Sequence, residues 1–243
     1  MVAIAPPAKV LVTGANGYLA GWVVKKYLEE GYSVRGTVRS LIKSAFLVDK
    51  FSSYGDRFEL VVVEDITKDG AFDEAVKGVD VIAHTASPFN FKATNPDGMI
   101  LFLLKMSPFF KSLLNETYSD LIIPAVRGTT SILNSALKHG STVKHLILTS
   151  SAVAVLETGT VPRVYTESNW NNSSVEAVKT KGSEAGPVAI YFASKTLAEK
   201  AAWEFVDAHK SEISWDLVAI NPPYIFGARL SFLSLLLDPP IAD

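Results

Sequence analysis

Hydrophobic and polar positions along the chain follow two rhythms. Short runs rich in aliphatic and β-branched residues cover Lys9–Thr13, Ser33–Val38, Phe58–Val63, Val79–His84, Val143–Thr149 and Trp215–Asn221. Runs of that length and make-up predict strands. Between them, apolar residues recur at helical spacing over Leu19–Glu30, Asp69–Lys77, Ile122–His139 and Ile190–Lys210, with Gly140 as a stop signal. The aliphatic content of Val143–Thr149 predicts burial on both faces. Alternation of this kind predicts an α/β fold, a parallel sheet covered by helices on both sides. Two stretches fit it badly. Gly98–Ser119 (GMILFLLKMSPFFKSLLNETYS) is apolar without a place in the alternation, and the tail from Ala228 ends LSFLSLLLDPPIAD. Ile100–Leu104 meets Lys105, and Leu230–Leu237 contains two serines, so neither supplies the roughly 20 apolar residues of a membrane span.

Composition narrows the class. With 243 residues, 48% hydrophobic and 20% charged, the chain reads as a globular domain, large enough for a sizeable core. The net charge of -2 and the dispersed basic residues argue against a nucleic-acid partner. There is no cysteine, which excludes disulfides and thiolate metal sites. The start, MVAIAPPAKV, has neither a basic nor a long apolar region, so a cytoplasmic protein is expected rather than a secreted one.

The first candidate chemistry follows the first strand. In Val12-Thr-Gly-Ala-Asn-Gly-Tyr-Leu-Ala-Gly21, Gly14 permits a tight turn and Gly17 opens the next helix, with the small Ala20 a turn later. A glycine-rich turn between strand and helix brings free N–H groups and the positive end of a helix dipole to a pyrophosphate. The strand before it and the helix after it favour a Rossmann-type dinucleotide site over an ordinary loop. NAD sites place an acid about 20 residues on, for the ribose 2′-hydroxyl. Here Arg39 ends the second strand and Lys43 lies a turn later, a pair suited to a 2′-phosphate, so NADP(H) is expected. The alternative is that Arg39 is a solvated strand-end charge.

The second candidate is Tyr191-Phe-Ala-Ser-Lys195, whose spacing puts both functional groups on one helical face. Tyr191 is expected to open the long helix that follows the strand ending Thr149-Ser-Ser151. In a doubly wound sheet the carboxyl ends of the strands meet at one crevice. Reduction of a carbonyl needs a proton for the new alkoxide, and a free tyrosine of pKa ~10 shuttles poorly. A neighbouring ammonium favours tyrosinate, and bringing the pKa to neutrality takes about 4 kcal/mol of differential interaction. The Ser151 hydroxyl can hold the substrate oxygen. His84 reads as a packed strand residue, and Trp203 and Phe205 as core.

Together VTGANGYLAGWVV, Asp65-Ile66, HTASPF (84–89), IIPAVRGTTSIL, LTSSA, YFASKTLAEKAAWEF and NPPYIFG resemble the dihydroflavonol-reductase-like branch of the extended short-chain dehydrogenase/reductases, and within it the fungal methylglyoxal and aldehyde/ketone reductases. The resemblance covers Lys9–Pro96 and Asp120–Gly227. It implies an NADPH-dependent oxidoreductase for a small carbonyl substrate, with Ser151, Tyr191 and Lys195 catalytic. It further implies that Gly14, Asn16, Gly17, Tyr18, Leu19, Arg39, Lys43, Asp65 and Ile66 line the phosphate and adenine ends of the cofactor. Thr85, Ala86, Pro222 and Pro223 would lie near the nicotinamide ribose and ring. Asp65 also reads as a strand-end cap.

Against the family pattern, Gly98–Ser119 is an added segment, expected on the surface near the cleft, and residues 228–243 stand where a substrate-binding lobe is expected. The expected organisation is a dinucleotide-binding domain over 1–227 and an apolar tail over 228–243. No oligomer is required. Two other readings stay open: an NAD-dependent epimerase/dehydratase using the same Ser-Tyr-Lys set, and an NADP-binding protein with impaired catalysis.

Overall fold

The computed structural model describes residues 4–87, 121–157, 164–228 and 230. Gly98–Ser119, the tail beyond Leu230, and with them the expected limits of the domain, lie outside the described residues.

Among the described residues six strands form one parallel sheet: β1 (Lys9–Val12), β2 (Ser33–Val38), β3 (Phe58–Val62), β4 (Val81–His84), β5 (His145–Thr149) and β6 (Asp216–Ile220). Their order is β3-β2-β1-β4-β5-β6, so the chain reverses direction across the sheet between β1 and β4. Among the described residues the α-helices are α1 (Tyr18–Glu29), α2 (Ala45–Lys50), α3 (Ile122–His139), α4 (Asn172–Lys181) and α5 (Gly186–Ala208). This is the expected doubly wound Rossmann-type architecture.

Alternation along the strands divides the core. Val10, Val12, Val34, Val38, Val81 and Ala83 point to one face and pack with Val24 and Leu28 of α1 and Leu47 of α2. Leu11, Ile82, Leu146 and Leu217 point to the other and meet Ile132 and Leu133 of α3, Ala202 of α5, Phe72 and Trp215. A third cluster joins α3, α4 and α5 through Ala125, Val126, Val175, Val178 and Leu197. Trp203 and Phe205 are partly buried against the second cluster, as expected. Among the described residues no helix is long and apolar enough to cross a membrane.

Three expectations are corrected. Asp69–Lys77 is a series of turns rather than a helix. Its hydrogen bonds mix three- and four-residue spans (Asp73 N–H to Gly70, Val76 N–H to Phe72), with the left-handed Gly70 (φ 75°) inside it and Gly78 (φ 67°) just after it. Phe72 is fully buried nonetheless, so the apolar spacing reports burial, not helix. The long helix begins at Gly186, with Pro187 in its first turn, so Tyr191 sits in its second turn instead of opening it. β5 is fully buried on one face only: Leu146 and Leu148 are covered, while Ile147 is partly accessible on the α1 side.

That side carries an apolar cleft of about 600 Å³ between α1 and β4–β6, lined by Leu19, Val23, Tyr27, Ile147, Ile220 and Ile225 among others. After β6 the chain crosses toward α1. Tyr18 Oη donates to the Gly227 carbonyl at 2.6 Å, and Trp22 Nε1 to that of Ala228 at 2.9 Å. Leu230 is buried against Gly21, where a Cβ would lie 3.1 Å from its side chain.

Candidate active site

The crevice where the strand order reverses is built first by the β1–α1 turn. Gly14 has φ 67°, and a Cβ there would sit 3.2 Å from that of Ala86, so glycine allows both the turn and its contact with the end of β4. A Cβ on Gly17 would lie 3.0 Å from the Gly14 carbonyl. Gly17 starts α1 with no side-chain cap, and the first N–H to bond back into the helix is that of Gly21. The preceding amides of Tyr18, Leu19 and Ala20 therefore lie at the positive end of the helix dipole, where an anion is stabilised. The loop is fixed to β2: Thr37 Oγ1 accepts from the Gly14 amide at 3.0 Å, and the Thr37 carbonyl from Ala15 at 2.8 Å. Ala15 packs directly over Gly36, where an added Cβ would come within 2.7 Å of its own.

Arg39, at the end of β2, and Lys43 are both exposed, and among the described residues neither has an ion-pair partner. Asn16 is exposed and Leu19 lines the cleft. Asp65 Oδ1 accepts from both Thr67 N–H (2.9 Å) and Thr67 Oγ1 (2.7 Å), the strand-end cap that its position allowed. Ile66 is partly buried against the core.

Thr13, which sequence reasoning passed over, locks β1 to the end of β4. Its Oγ1 accepts from the amides of Thr85 and Ala86, both at 3.0 Å, and Thr85 Oγ1 donates to its carbonyl. With both lone pairs used, the Thr13 hydroxyl has its own proton to give, and His84 Nδ1 lies 3.0 Å away. His84 is therefore neutral, with its proton on Nε2. Burial, and then the charge of Lys195, push its pKa to about 3. The ring meets Phe72 edge-on. His84 is thus the packed strand residue that was expected.

Across the crevice, α5 brings Tyr191 and Lys195 together, the Lys195 Nζ lying 5.9 Å from the Tyr191 ring centre and donating to Ser87 Oγ at 3.0 Å. Surrounding protein holds the Lys195 pKa below the ordinary lysine value, because burial disfavours its charge. Ser151 follows β5, where its Oγ accepts weakly from Val153 N–H (3.4 Å) as the cap of a short turn. Pro222, beside it, receives the Ala152 amide, and Pro223 is exposed. A cavity of about 20 Å³, the size of one water, lies among His84, Ser87, Thr149, Ser150, Lys195 and Glu199. The structure therefore gathers Gly14, Thr85, Ala86, Ser151, Tyr191, Lys195 and Pro222 around the carboxyl edge of β1, β4, β5 and β6. Arg39, Lys43, Asp65 and Ile66 lie on the β2–β3 side.

Two family models match the chain. One, described as Male sterility protein, matches residues 113–234, and the NmrA-like family matches residues 6–101. The ketoreductase azaE of Aspergillus niger is 36% identical over 225 residues, covering 91% of this chain and 58% of that protein. Aldehyde reductase 2 of Sporidiobolus salmonicolor is 39% identical over 224 residues, covering 90% and 57%. The crystal structure of yeast methylglyoxal/isovaleraldehyde reductase Gre2 complexed with NADPH superposes with TM-score 0.74 at 33% identity, covering 91% of this chain and 59% of that one. This chain thus spans somewhat under three-fifths of the length of these relatives.

Proposed function

We propose, from the premise that this chain belongs to the family described as Male sterility protein and resembles the dihydroflavonol-reductase-like branch of the extended short-chain dehydrogenase/reductases, that it is an NADPH-dependent reductase of small aldehydes or ketones. The observation that carries the reading is the meeting of the Gly14–Gly17 turn and the Tyr191–Lys195 pair at one crevice of the sheet. The residues present suit the cofactor. Gly14 and Gly17 leave room beside the backbone, the first amides of α1 suit a pyrophosphate, and Arg39 with Lys43 offers two exposed cations to a 2′-phosphate. Asn16, Tyr18, Leu19, Asp65 and Ile66 are assigned to the same cofactor surface, with Thr85, Ala86, Pro222 and Pro223 at its nicotinamide end. Bound NADPH supplies a hydride.

The chain's own groups then have distinct tasks. Ser151 Oγ donates to the substrate carbonyl oxygen and orients it. Tyr191 Oη delivers its proton to that oxygen as the C–H bond forms at carbon, leaving an alcohol and a tyrosinate. The Lys195 ammonium favours the tyrosinate, and its lowered pKa eases return of a proton to Tyr191. The reading draws its assigned residues from one chain and calls for no oligomer. The reading takes the protein to be cytoplasmic.

The test is NADPH oxidation by this chain with a panel of small aldehydes and ketones, beside NADPH and NADH titrations by fluorescence. We expect turnover with NADPH, a drop of about 10²–10⁴-fold in Tyr191→Phe with unchanged cofactor affinity, and selective weakening of NADPH by Arg39→Ala. Equal or tighter NADH binding by the unmutated chain, or a Tyr191→Phe variant with most of its kcat, overturns the assignments.

A further inference from the structure

The helix that carries Tyr191 and Lys195 also carries Glu199 one turn further on the same face. Glu199 is 5% exposed, a buried carboxylate with no place in the proposed proton transfer. Its Oε2 accepts from Ser150 Oγ, on the residue before Ser151, and from Asn221 Nδ2 at 2.7 Å. The same Asn221 amide donates its other hydrogen to the Ser151 carbonyl at 3.0 Å. Backbone bonds complete the join: Ser150 N–H donates to Ile220 at 2.8 Å and Ala152 N–H to Pro222 at 2.9 Å. One carboxylate oxygen thus fastens α5 to the ends of β5 and β6.

We propose that Glu199 is a positioning residue that, through Asn221 and Ser150, sets the placement of Ser151 relative to Tyr191 and Lys195. The inference rests on the reductase reading of that site. Its physical ground is that Ser151 and Tyr191 sit on different elements, and a transferred proton tolerates little error in their spacing. A displacement of about 1 Å can cost 10²-fold in rate. A buried carboxylate lacking hydrogen-bond partners would be strongly disfavoured, so the two donors and the acceptor hold one another in a single arrangement. Because both bonds end on one oxygen, the amide oxygen of a glutamine can accept both, whereas alanine leaves both donors unsatisfied.

The experiment compares the full chain with Glu199→Ala, Glu199→Gln and Asn221→Ala. It measures aldehyde reduction at saturating NADPH, NADPH affinity, and hydrogen exchange at the Ser150 and Ala152 amides. We expect Glu199→Ala to lose about 10- to 100-fold in kcat with NADPH affinity nearly unchanged, and Glu199→Gln to recover most of it. Exchange should quicken in the alanine variant and return toward the original in the glutamine variant. Asn221→Ala, which leaves the Ser150 bond to Glu199 in place, should show the same kcat loss and stands in if Glu199→Ala does not fold. An unchanged kcat per NADPH-binding site in the alanine variants, or a glutamine variant as slow as alanine, overturns the role. If the unmutated chain reduces none of the carbonyls, the reductase reading falls instead. The clamp is then judged on exchange alone, and unchanged protection in both alanine variants refutes it.

Discussion

A histidine buried without charge makes the protein sensitive to acid. His84 titrates near 6.5 in an unfolded chain and at about 3 when buried, with its Nδ1 accepting from Thr13. Above pH 6.5 both states are neutral and its contribution is complete. As pH falls below 6.5, the unfolded chain takes up a proton that the folded chain refuses, so stability declines until about pH 3. The slope is about 1.4 kcal/mol per pH unit, or about 2 kcal/mol between pH 7 and 5. Urea unfolding at those two pH values measures it. His84→Asn, whose side-chain oxygen can accept the same Thr13 hydrogen bond, should remove that part of the slope. An identical slope in the variant would assign the acid sensitivity to other groups. At this scale the chain was only partly legible. Tyr191, Lys195 and Gly14 stood out by type and spacing. Thr13 is an ordinary strand residue in sequence, and its role depends on β1 lying beside β4.

Elements followed their hydrophobic rhythm where it ran uninterrupted. The six strands and the helices at Tyr18–Glu29 and Ile122–His139 lie within two residues of the expected limits. The rhythm failed over Asp69–Lys77, where left-handed glycines break the ladder, and it gave no notice of α4, whose faces are largely polar. The junction of β2 with the β1–α1 loop yields a test at this scale. Gly36→Ala would bring its Cβ to 2.7 Å from the Ala15 Cβ and 2.9 Å from Leu60 Cδ2. Overpacking of that kind typically costs about 1–3 kcal/mol. Since Ala15 belongs to the phosphate-binding turn, NADPH affinity should fall as well. Thermal unfolding and a cofactor titration check both, and a variant matching the original in both would show that the loop yields without consequence.

For the molecule as a whole, the described surface has an apolar region at the carboxyl edge of β6. Tyr224 and Phe226 are 87% and 86% exposed and stack on each other at 5.9 Å, while Ile220 and Ile225 line the apolar cleft. Apolar patches of a few hundred Å² favour association. We expect light scattering behind size exclusion to find species larger than a monomer, and a hydrophobic dye to bind. Tyr224→Ser combined with Phe226→Ser should reduce both signals. A sharp monomer that binds no dye would count decisively against this expectation.

What the sequence determined by itself is what neighbouring residues can specify: strand and helix periods, a glycine turn, and a tyrosine and lysine one helical turn apart. The alternation of these elements was enough to imply the doubly wound sheet. What the tertiary structure alone decided are contacts between residues far apart in the chain. Thr13 meets His84 across 71 positions, Asn221 meets Ser151 across 70, and Glu199 meets Asn221 across 22. The parallel registers of β1 with β4 and of β5 with β6 bring those partners together. Glu199 illustrates the difference. In sequence it is one more charge on a helix, and it becomes a buried link only because α5 lies over the ends of two strands.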